Sequence, residues 1–411
     1  MPPGVCGAGR YSGHADRRRA AAGRRDVPAD RVSTAPKPEW HDGTRVVRAG
    51  LPDATPGTPY MAGPVFAAPY HAPGDPAASP FTYGRFSNPT WVAYEQALEA
   101  LEGGPCLLFP SGMAASAAVL ATMVPPGGKL VMPAESYYTT RLIATQDFPG
   151  AWFAAQGIAV QMAPTVGSGL RDALEGASVL WLESPTNPAL DVCDIAALAQ
   201  AAHAAGALVV VDNTTATPLL QQPLALGADF AVVSDTKAMT GHADLVLGHV
   251  ACRDAAHADT IRTWRTRMGV IAGPMEAWLA HRSLATLDVR LTRQCDTAMQ
   301  IAQMLAVHPK VHGVRYPGLP QDASFAIASR QMKRFGGVIS FALEDAAAVT
   351  RFFAASTLVY EATSFGGVHT SAERRARWGG DAVSEGFVRL SIGLEDVRDL
   401  LIDFERALGA V

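Results

Sequence analysis

Short, continuously apolar runs alternate with alanine-rich segments over the middle of the chain. The runs predict β-strands at residues 106–109, 130–132, 179–182, 208–211, 230–233 and 245–247. The intervening segments predict helices, for example at 111–123 and 195–205. Strands that are apolar on both faces and alternate with helices indicate an α/β fold with a mostly parallel sheet covered on both sides.

The segments before this region have a different pattern. Residues 1–43 mix Pro, Gly, Ala and Arg and lack the apolar content to fold, so we interpret them as a disordered tail rather than an arm for targeting or for binding nucleic acid. Residues 44–90 are rich in Pro and Gly and predict an extended arm. Apolar residues at helical spacing then run from Trp91 to Leu101.

The segments after it predict a second, smaller domain. A long helical stretch at 274–307 is followed by strand patterns at 336–343 and 387–392 and a helical pattern at 346–356. This mixture indicates an α+β arrangement. We therefore expect a large domain at 91–273, and a linking helix with a C-terminal domain at 274–411.

Composition and charge exclude several classes of function. The net charge of −4 offers no electrostatic reason to bind nucleic acid or an anionic membrane. No uncharged apolar run reaches the roughly 18 residues of a membrane span, and no apolar signal-peptide core lies in the first 40 residues. The five cysteines form no CxxC spacing, which predicts free thiols in the cytoplasm and no metal site.

Lysine is scarce, which makes Lys237 conspicuous. Of 34 basic residues only five are lysines, and Lys237 follows the apolar strand at 230–233. Arginine can replace lysine as a charge but not as an amine nucleophile, because its guanidinium stays protonated. Lys237 is therefore a candidate for a Schiff base.

Polar residues at other strand ends suit one particular cofactor. Pyridoxal phosphate (PLP) needs a carboxylate beside its ring nitrogen, phosphate donors at a helix start and a flat side chain over its ring. Asp212 follows a buried strand and is the candidate carboxylate, and Tyr137, with Tyr138 as rival, is the candidate for the ring. The candidate phosphate donors are Ser111, Gly112, Met113, Ser234 and Thr236. A PLP-free Schiff-base aldolase would leave Asp212 and these donors unexplained, and they also argue against a catalytically silent scaffold.

Six stretches in order resemble the Cys/Met-metabolism PLP-dependent family of transsulfuration enzymes. They are YGRFSNPT (83–90), SGMAA (111–115), ESPTNP (183–188), DNTTATP (212–218), SDTK (234–237) with GH (241–242), and RLSIGLE (389–395). The resemblance implies the type I fold of PLP-dependent transferases, PLP as cofactor and an amino acid as substrate. It also implies a homotetramer built as a dimer of dimers with shared active sites.

The resemblance also implies roles for single residues. Tyr83 and Arg85 would reach the neighbouring subunit's cofactor phosphate, and Asn187 would contact the ring hydroxyl. Arg389 would bind the substrate α-carboxylate, and Ser364 would help to position Lys237. We also place Glu183 in the substrate site.

Departures from the family pattern concern the substrate. Tyr138 and Thr139 replace a usual Gly-Gly pair, Arg141 stands near the place of a usual arginine, and Thr363 stands where many relatives have Glu. Residues 373–381 replace a usual His-Pro-Ala stretch. The resemblance implies a C–S lyase that cleaves cystathionine to cysteine, 2-oxobutanoate and ammonia, with Lys237 and Tyr137 as catalytic residues and Arg141 and Thr363 near the distal end of the substrate. A γ-replacement synthase and a methionine γ-lyase are the alternatives.

Overall fold

A computed structural model describes residues 40–145 and 149–411, so the predicted tail lies outside the described residues except for its last four. The strands are β1 Cys106–Phe109, β2 Lys129–Pro133, β3 Ala159–Ala163, β4 Val179–Glu183, β5 Leu208–Asp212, β6 Phe230–Val233, β7 Gly248–Cys252, β8 His312–Arg315, β9 Val338–Ala342, β10 Tyr360–Glu361, β11 Ser371–Arg374 and β12 Phe387–Ser391. The helices are α1 Asp42–Arg48, α2 Pro89–Glu102, α3 Gly112–Met123, α4 Tyr138–Ile143, α5 Trp152–Ala155, α6 Gly169–Asp172, α7 Ile195–Ala204, α8 Thr217–Leu220, α9 Ala255–Met268, α10 Pro274–Leu284, α11 Leu287–Val307, α12 Phe325–Gln331, α13 Ala346–Ala355 and α14 Val397–Gly409.

The large sheet is mostly parallel, as predicted. Its seven strands lie in the order β1-β7-β6-β5-β4-β2-β3, and only β7 runs antiparallel to its neighbours. Buried side chains cover both faces of the sheet. The carboxyl ends of β4, β5 and β6 therefore meet at one edge, where ligands bind in folds of this kind.

The strand predicted at 245–247 is wrong, because β7 begins at Gly248. The backbone of Leu247 is hydrogen-bonded to Thr236 instead of to a strand, with its N–H donating to Thr236 Oγ1 at 3.1 Å. This pairing holds the approach to β7 against the turn that contains Lys237.

The arm is not extended throughout, because α1 lies within it. Its single buried side chain is Val46, and Arg45 pairs with Asp42 at 2.9 Å and donates to the carbonyl of Ala100 at 2.7 Å. With one buried side chain, one ion pair and one hydrogen bond to a carbonyl, the helix has little apolar periodicity, which is why the pattern did not reveal it.

The helical stretch at 274–307 is divided into α10 and α11. The carbonyl of Ser283 accepts hydrogen bonds from the Thr286 hydroxyl and from Arg290, at 3.1 Å each. These side chains satisfy a carbonyl at the end of α10, where a helix leaves its carbonyl groups without intrahelical partners. The apolar spacing continues through the break, so periodicity alone does not show it.

The C-terminal region forms a second sheet, in agreement with the predicted α+β character. Its order is β10-β11-β12-β9-β8, antiparallel except for the β10–β11 pair. Phe341 of this sheet packs against Phe352 of α13, which in turn packs against Phe404 of α14.

Within the described residues, no helix is long and apolar enough to cross a membrane. The same part of the chain holds no group of three or more side chains suited to a metal ion. Its four cysteines are free and buried.

Candidate active site

A cavity of about 200 Å³ lies at the carboxyl edge of β4, β5 and β6. It is where the structure brings together most of the residues predicted to hold the cofactor. The predicted residues that line it are Ser111, Gly112, Met113, Tyr137, Glu183, Asn187, Asp212, Ser234, Thr236 and Lys237.

Lys237 lies in a tight turn after β6. Its own N–H donates to the carbonyl of Ser234 at 3.1 Å, and Arg290 binds the carbonyls of Ala238 and Met239 on the other side. Burial, together with the charge of Arg389, lowers the pKa of the Lys237 amine. Among the described residues no hydrogen bond or ion pair holds its Nζ, which lies 5.7 Å from the ring centroid of Phe365. A desolvated amine of this kind is suited to nucleophilic attack on a carbonyl.

Glu183 and Asp212 are the last residues of β4 and β5 and stand opposite each other in the sheet. Asp212 Oδ1 accepts from the N–H of Thr214 at 3.0 Å. Glu183 accepts from the N–H groups of Tyr137 at 2.5 Å and Asn187 at 2.7 Å. Burial raises the pKa of both carboxyl groups, and the neighbouring Asp212 raises that of Glu183 further. Such a pair favours a cationic partner, as a protonated ring nitrogen would be.

Ser111 caps α3, because its Oγ accepts from the N–H of Ala114 at 3.0 Å. Gly112 then approaches the turn after β6 so closely that an added Cβ would lie 2.6 Å from the Cβ of Ser234. Glycine is therefore required for the cradle formed by the start of α3 and the turn after β6. The N–H groups of a first helical turn lack intrahelical partners and attract phosphate.

Of the two tyrosines, Tyr137 lines the cavity and Tyr138 does not. The ring of Tyr138 lies against Gly380, whose added Cβ would meet it at 2.7 Å, and Arg141 lies 5.6 Å from its centroid. The residues around the cavity thus fit PLP: Lys237 as the amine, Asp212 beside the ring nitrogen, Tyr137 over the ring and Ser111–Met113 with Ser234 around the phosphate. The individual roles stay predictions.

Arg389 of β12 is buried beside the cavity and contacts two residues that line it. Its Nη1 donates to Asn187 Oδ1 at 2.7 Å, and its guanidinium lies 5.2 Å from the ring centroid of Phe365. Nη2 donates to the carbonyl of Ser364 at 2.8 Å and to the Glu373 carboxylate. Its buried Nε has no hydrogen-bond partner among the described residues, which leaves a donor for a ligand.

Ser364 and Thr363 line a second cavity, of about 390 Å³, which shares Thr236 and Phe365 with the first. Ser364 has a φ of 77°, unusual for a residue with a side chain, and none of the described hydrogen bonds joins its hydroxyl to Lys237. Its proposed positioning of Lys237 therefore stays a prediction.

Arg141 is turned toward other partners. Its Nε donates to the carbonyl of Ser136 at 2.8 Å and its Nη2 to that of Gly380 at 2.7 Å, and it lines neither cavity. Tyr83 and Arg85 also lie away from this chain's cavity, and Arg85 donates to the carbonyl of Thr266 at 2.8 Å. A role at the neighbouring subunit stays a prediction for both.

Sequence reasoning missed several residues of the site. Thr214 accepts from the N–H of Ser234 at 2.8 Å and lines the cavity with Thr215 and Phe365. Thr214 and Thr215 lie in the stretch 212–218 that resembles the family, so the resemblance could have identified them. Glu373, the partner of Arg389, was noted only as part of a departing segment.

Comparison with known proteins finds relatives among PLP-dependent enzymes. The family model described as "Cys/Met metabolism PLP-dependent enzyme" matches residues 65–409. A Streptomyces coelicolor protein named "Putative cystathionine gamma-lyase" is 53% identical over 372 residues, covering 89% of this chain and 93% of its own length. A cystathionine gamma-synthase from Mycobacterium bovis is 39% identical over 340 residues, covering 80% of this chain and 86% of its own. A solved structure of a methionine gamma lyase from Micromonospora echinospora has a TM-score of 0.83 and 37% identity, and covers 90% of this chain and 99% of that one.

Proposed function

The chain belongs to the Cys/Met-metabolism PLP-dependent enzymes, and we propose that within this family it is a cystathionine γ-lyase. The products would be cysteine, 2-oxobutanoate and ammonia. The observation that carries the proposal is the 53% identity to a relative bearing that name, over 89% of the chain, against 39% to a γ-synthase.

The site residues supply the acid–base and binding steps. Bound PLP would supply an electron sink for charge that develops at the substrate α-carbon. Lys237, with its lowered pKa, accepts the α-proton at Nζ. Tyr137, at the cavity wall, donates its hydroxyl proton to the departing sulfur. Arg389 binds the α-carboxylate through the donor that lacks a partner.

The second cavity supports a substrate with a long distal arm. Cystathionine ends in a second amino-acid head, whereas methionine ends in a methyl group. The cavity of about 390 Å³ next to the Lys237 site offers Thr363, Ser364 and His369 as hydrogen-bonding side chains. Room and polar groups beyond the reacting carbon favour cystathionine over methionine.

An assay of the purified enzyme tests the proposal. The rate at which cystathionine is cleaved to cysteine and 2-oxobutanoate should exceed the rates at which methionine and homocysteine are cleaved. It should also exceed the rate at which O-acylhomoserine reacts with cysteine. Lys237→Ala should abolish turnover and covalent attachment of the cofactor. If the enzyme forms cystathionine from O-acylhomoserine faster than it cleaves cystathionine, it is a γ-replacement synthase, like the Mycobacterium bovis relative at 39% identity.

Assembly and compartment form part of the same proposal. We propose a cytoplasmic homotetramer, a dimer of dimers in which Tyr83 and Arg85 complete the neighbouring site. Tyr83 is 42% exposed, which leaves it available for a partner.

A further inference from the structure

A chain of alternating charges runs from Arg389 to Arg141. Its members in order are Arg389, Glu373, Arg375, Asp381 and Arg141. Three of them belong to residues 373–381, the segment that departs from the family pattern. Three of these side chains are guanidinium groups and two are carboxylates, so one positive charge is not neutralised within the chain of charges.

The first link is a cross-strand pair. Glu373 on β11 stands directly opposite Arg389 on β12, and both side chains are buried. Glu373 is shared, because the same Oε1 also accepts from Arg375 Nη1 at 2.8 Å, while its other oxygen accepts from Trp378 Nε1 at 2.9 Å. The carboxylate is therefore divided between the guanidinium groups of Arg375 and Arg389, and that of Arg377 lies 3.8 Å from its Oε2.

The remaining ion pairs of the chain, Arg375–Asp381 and Asp381–Arg141, connect Glu373 with the segment that contains Tyr137. Arg375 donates from both Nε and Nη2 to Asp381 Oδ2, the first at 2.9 Å. Asp381 Oδ1 lies 3.7 Å from Arg141, whose Nε is bonded to the carbonyl of Ser136, the residue before Tyr137. The side chain of Asp381 is only 5% exposed, so solvent screens its charge weakly.

The ion pair between Arg389 and Glu373 determines how much of the positive charge of Arg389 is available to a ligand. A substrate carboxylate that binds Nε in a bidentate manner also needs Nη2, and both hydrogens of Nη2 are taken, by Ser364 and Glu373. It therefore competes with Glu373. Arg375 pairs with Glu373 and so weakens the competition of Glu373 with the substrate carboxylate for Arg389. Asp381 pairs with Arg375, weakens the pairing of Arg375 with Glu373, and so strengthens that competition.

We propose that Arg375 and Asp381 are positioning residues with opposite effects on binding of the substrate α-carboxylate, Arg375 promoting it and Asp381 restraining it. The proposal rests on the proposed function, because it takes Arg389 as the group that meets that carboxylate. The two effects have opposite signs, which distinguishes them from a structural role. If both contacts were merely structural, loss of either Arg375 or Asp381 would weaken binding.

Titration of the holoenzyme with L-alanine, followed by the shift of the cofactor absorption band, tests it. Alaninol, which has a hydroxymethyl group in place of the carboxylate, is the comparison ligand. Arg375→Gln removes the charge but keeps an amide donor, and should weaken alanine binding by about tenfold. Asp381→Asn is isosteric and should tighten it by about threefold. Neither should change alaninol binding.

Arg374→Gln is the matched control, because this neighbouring arginine pairs with Glu385 outside the chain of charges. It should leave the Kd for alanine unchanged. If Arg375→Gln fails to fold, the test rests on Asp381→Asn alone. Weaker or unchanged alanine binding by the Asp381→Asn variant overturns the proposal.

Two other outcomes separate this proposal from the assignment of Arg389. Equal weakening for alanine and alaninol in the Arg375 variant overturns the positioning role and leaves the proposed function intact. A wild type that binds alanine no better than alaninol removes Arg389 as the carboxylate site, and both proposals about it fall.

Discussion

His249 is fully buried in β7, between two carboxylates. Its Nδ1 lies 2.6 Å from Asp235 and its Nε2 3.0 Å from Glu102, and the Tyr94 hydroxyl donates to Asp235 at 3.2 Å. Burial opposes a charge on the ring, but the two carboxylates outweigh it and raise the pKa of His249 to about 10. The cluster anchors Asp235, two residues before Lys237, with a charged hydrogen bond inside the core.

This pKa shift predicts a loss of stability at high pH. The folded pKa lies above the unfolded value of about 6.5, so the contribution is complete below pH 6.5 and is lost as pH rises through about 10. One proton changes the free energy of unfolding by at most about 1.4 kcal/mol per pH unit. Urea denaturation of the wild type at pH 7 and pH 9.5 should show this decline.

The double variant Asp235→Asn with His249→Gln removes both charges of the pair. Its free energy of unfolding should depend less on pH than that of the wild type over the same interval. Parallel pH profiles for the two proteins would show that His249 does not carry a proton in the folded state.

At the scale of elements, three segments meet at Gly112: the start of α3, the end of β6 and the start of β7. An added Cβ on Gly112 would meet Ser234 at 2.6 Å, and one on Gly248 would meet the Cα of Gly112 at 2.5 Å. The cradle therefore depends on close contact between backbones, which tolerates no side chain.

Gly112→Ala should weaken cofactor binding by about tenfold or more, because the added methyl forces α3 away from the turn after β6. The Kd for PLP can be measured by reconstitution of the apoenzyme, followed by fluorescence. Gly409→Ala, at a helical position with no neighbour within 4 Å of the added Cβ, is the control and should bind PLP as the wild type does. Unchanged affinity in Gly112→Ala would show that the cradle does not hold the phosphate.

At the scale of the whole molecule, the proposed sharing of sites concerns Tyr83 and Arg85. In this chain Arg85 lies over the ring of Phe86 at 4.8 Å and binds the backbone at Thr266, away from the cavity. A site completed by a second subunit would explain why these residues resemble the family motif yet do not line their own cavity.

Mixed oligomers test this sharing. If Arg85→Ala and Lys237→Ala are each inactive, a dimer with one subunit of each has one site with both groups intact. Random reassociation should therefore restore about a quarter of wild-type activity. Reassociated Lys237→Ala alone should stay inactive, and absence of recovery in verified mixed oligomers would exclude shared sites.

The sequence by itself determined the features that depend on neighbours along the chain. Two-sided apolar runs identified β1, β2, β4, β5 and β6, and parallel strands place their carboxyl ends at one edge. Lys237, Asp212 and Ser111 could therefore be placed at one site from their positions after strands alone. The family motifs added Asn187 and Arg389, because both lie in matching stretches.

Tertiary structure alone decided the features that depend on which segments lie side by side. The position of β7 between β1 and β6, the break before α11 and the choice of Tyr137 over Tyr138 at the cavity all follow from packing. The pair of Glu373 with Arg389 follows from the register of β11 against β12. Register depends on the alignment of two strands and on the burial of one face of the sheet, which the pattern of either strand alone does not determine.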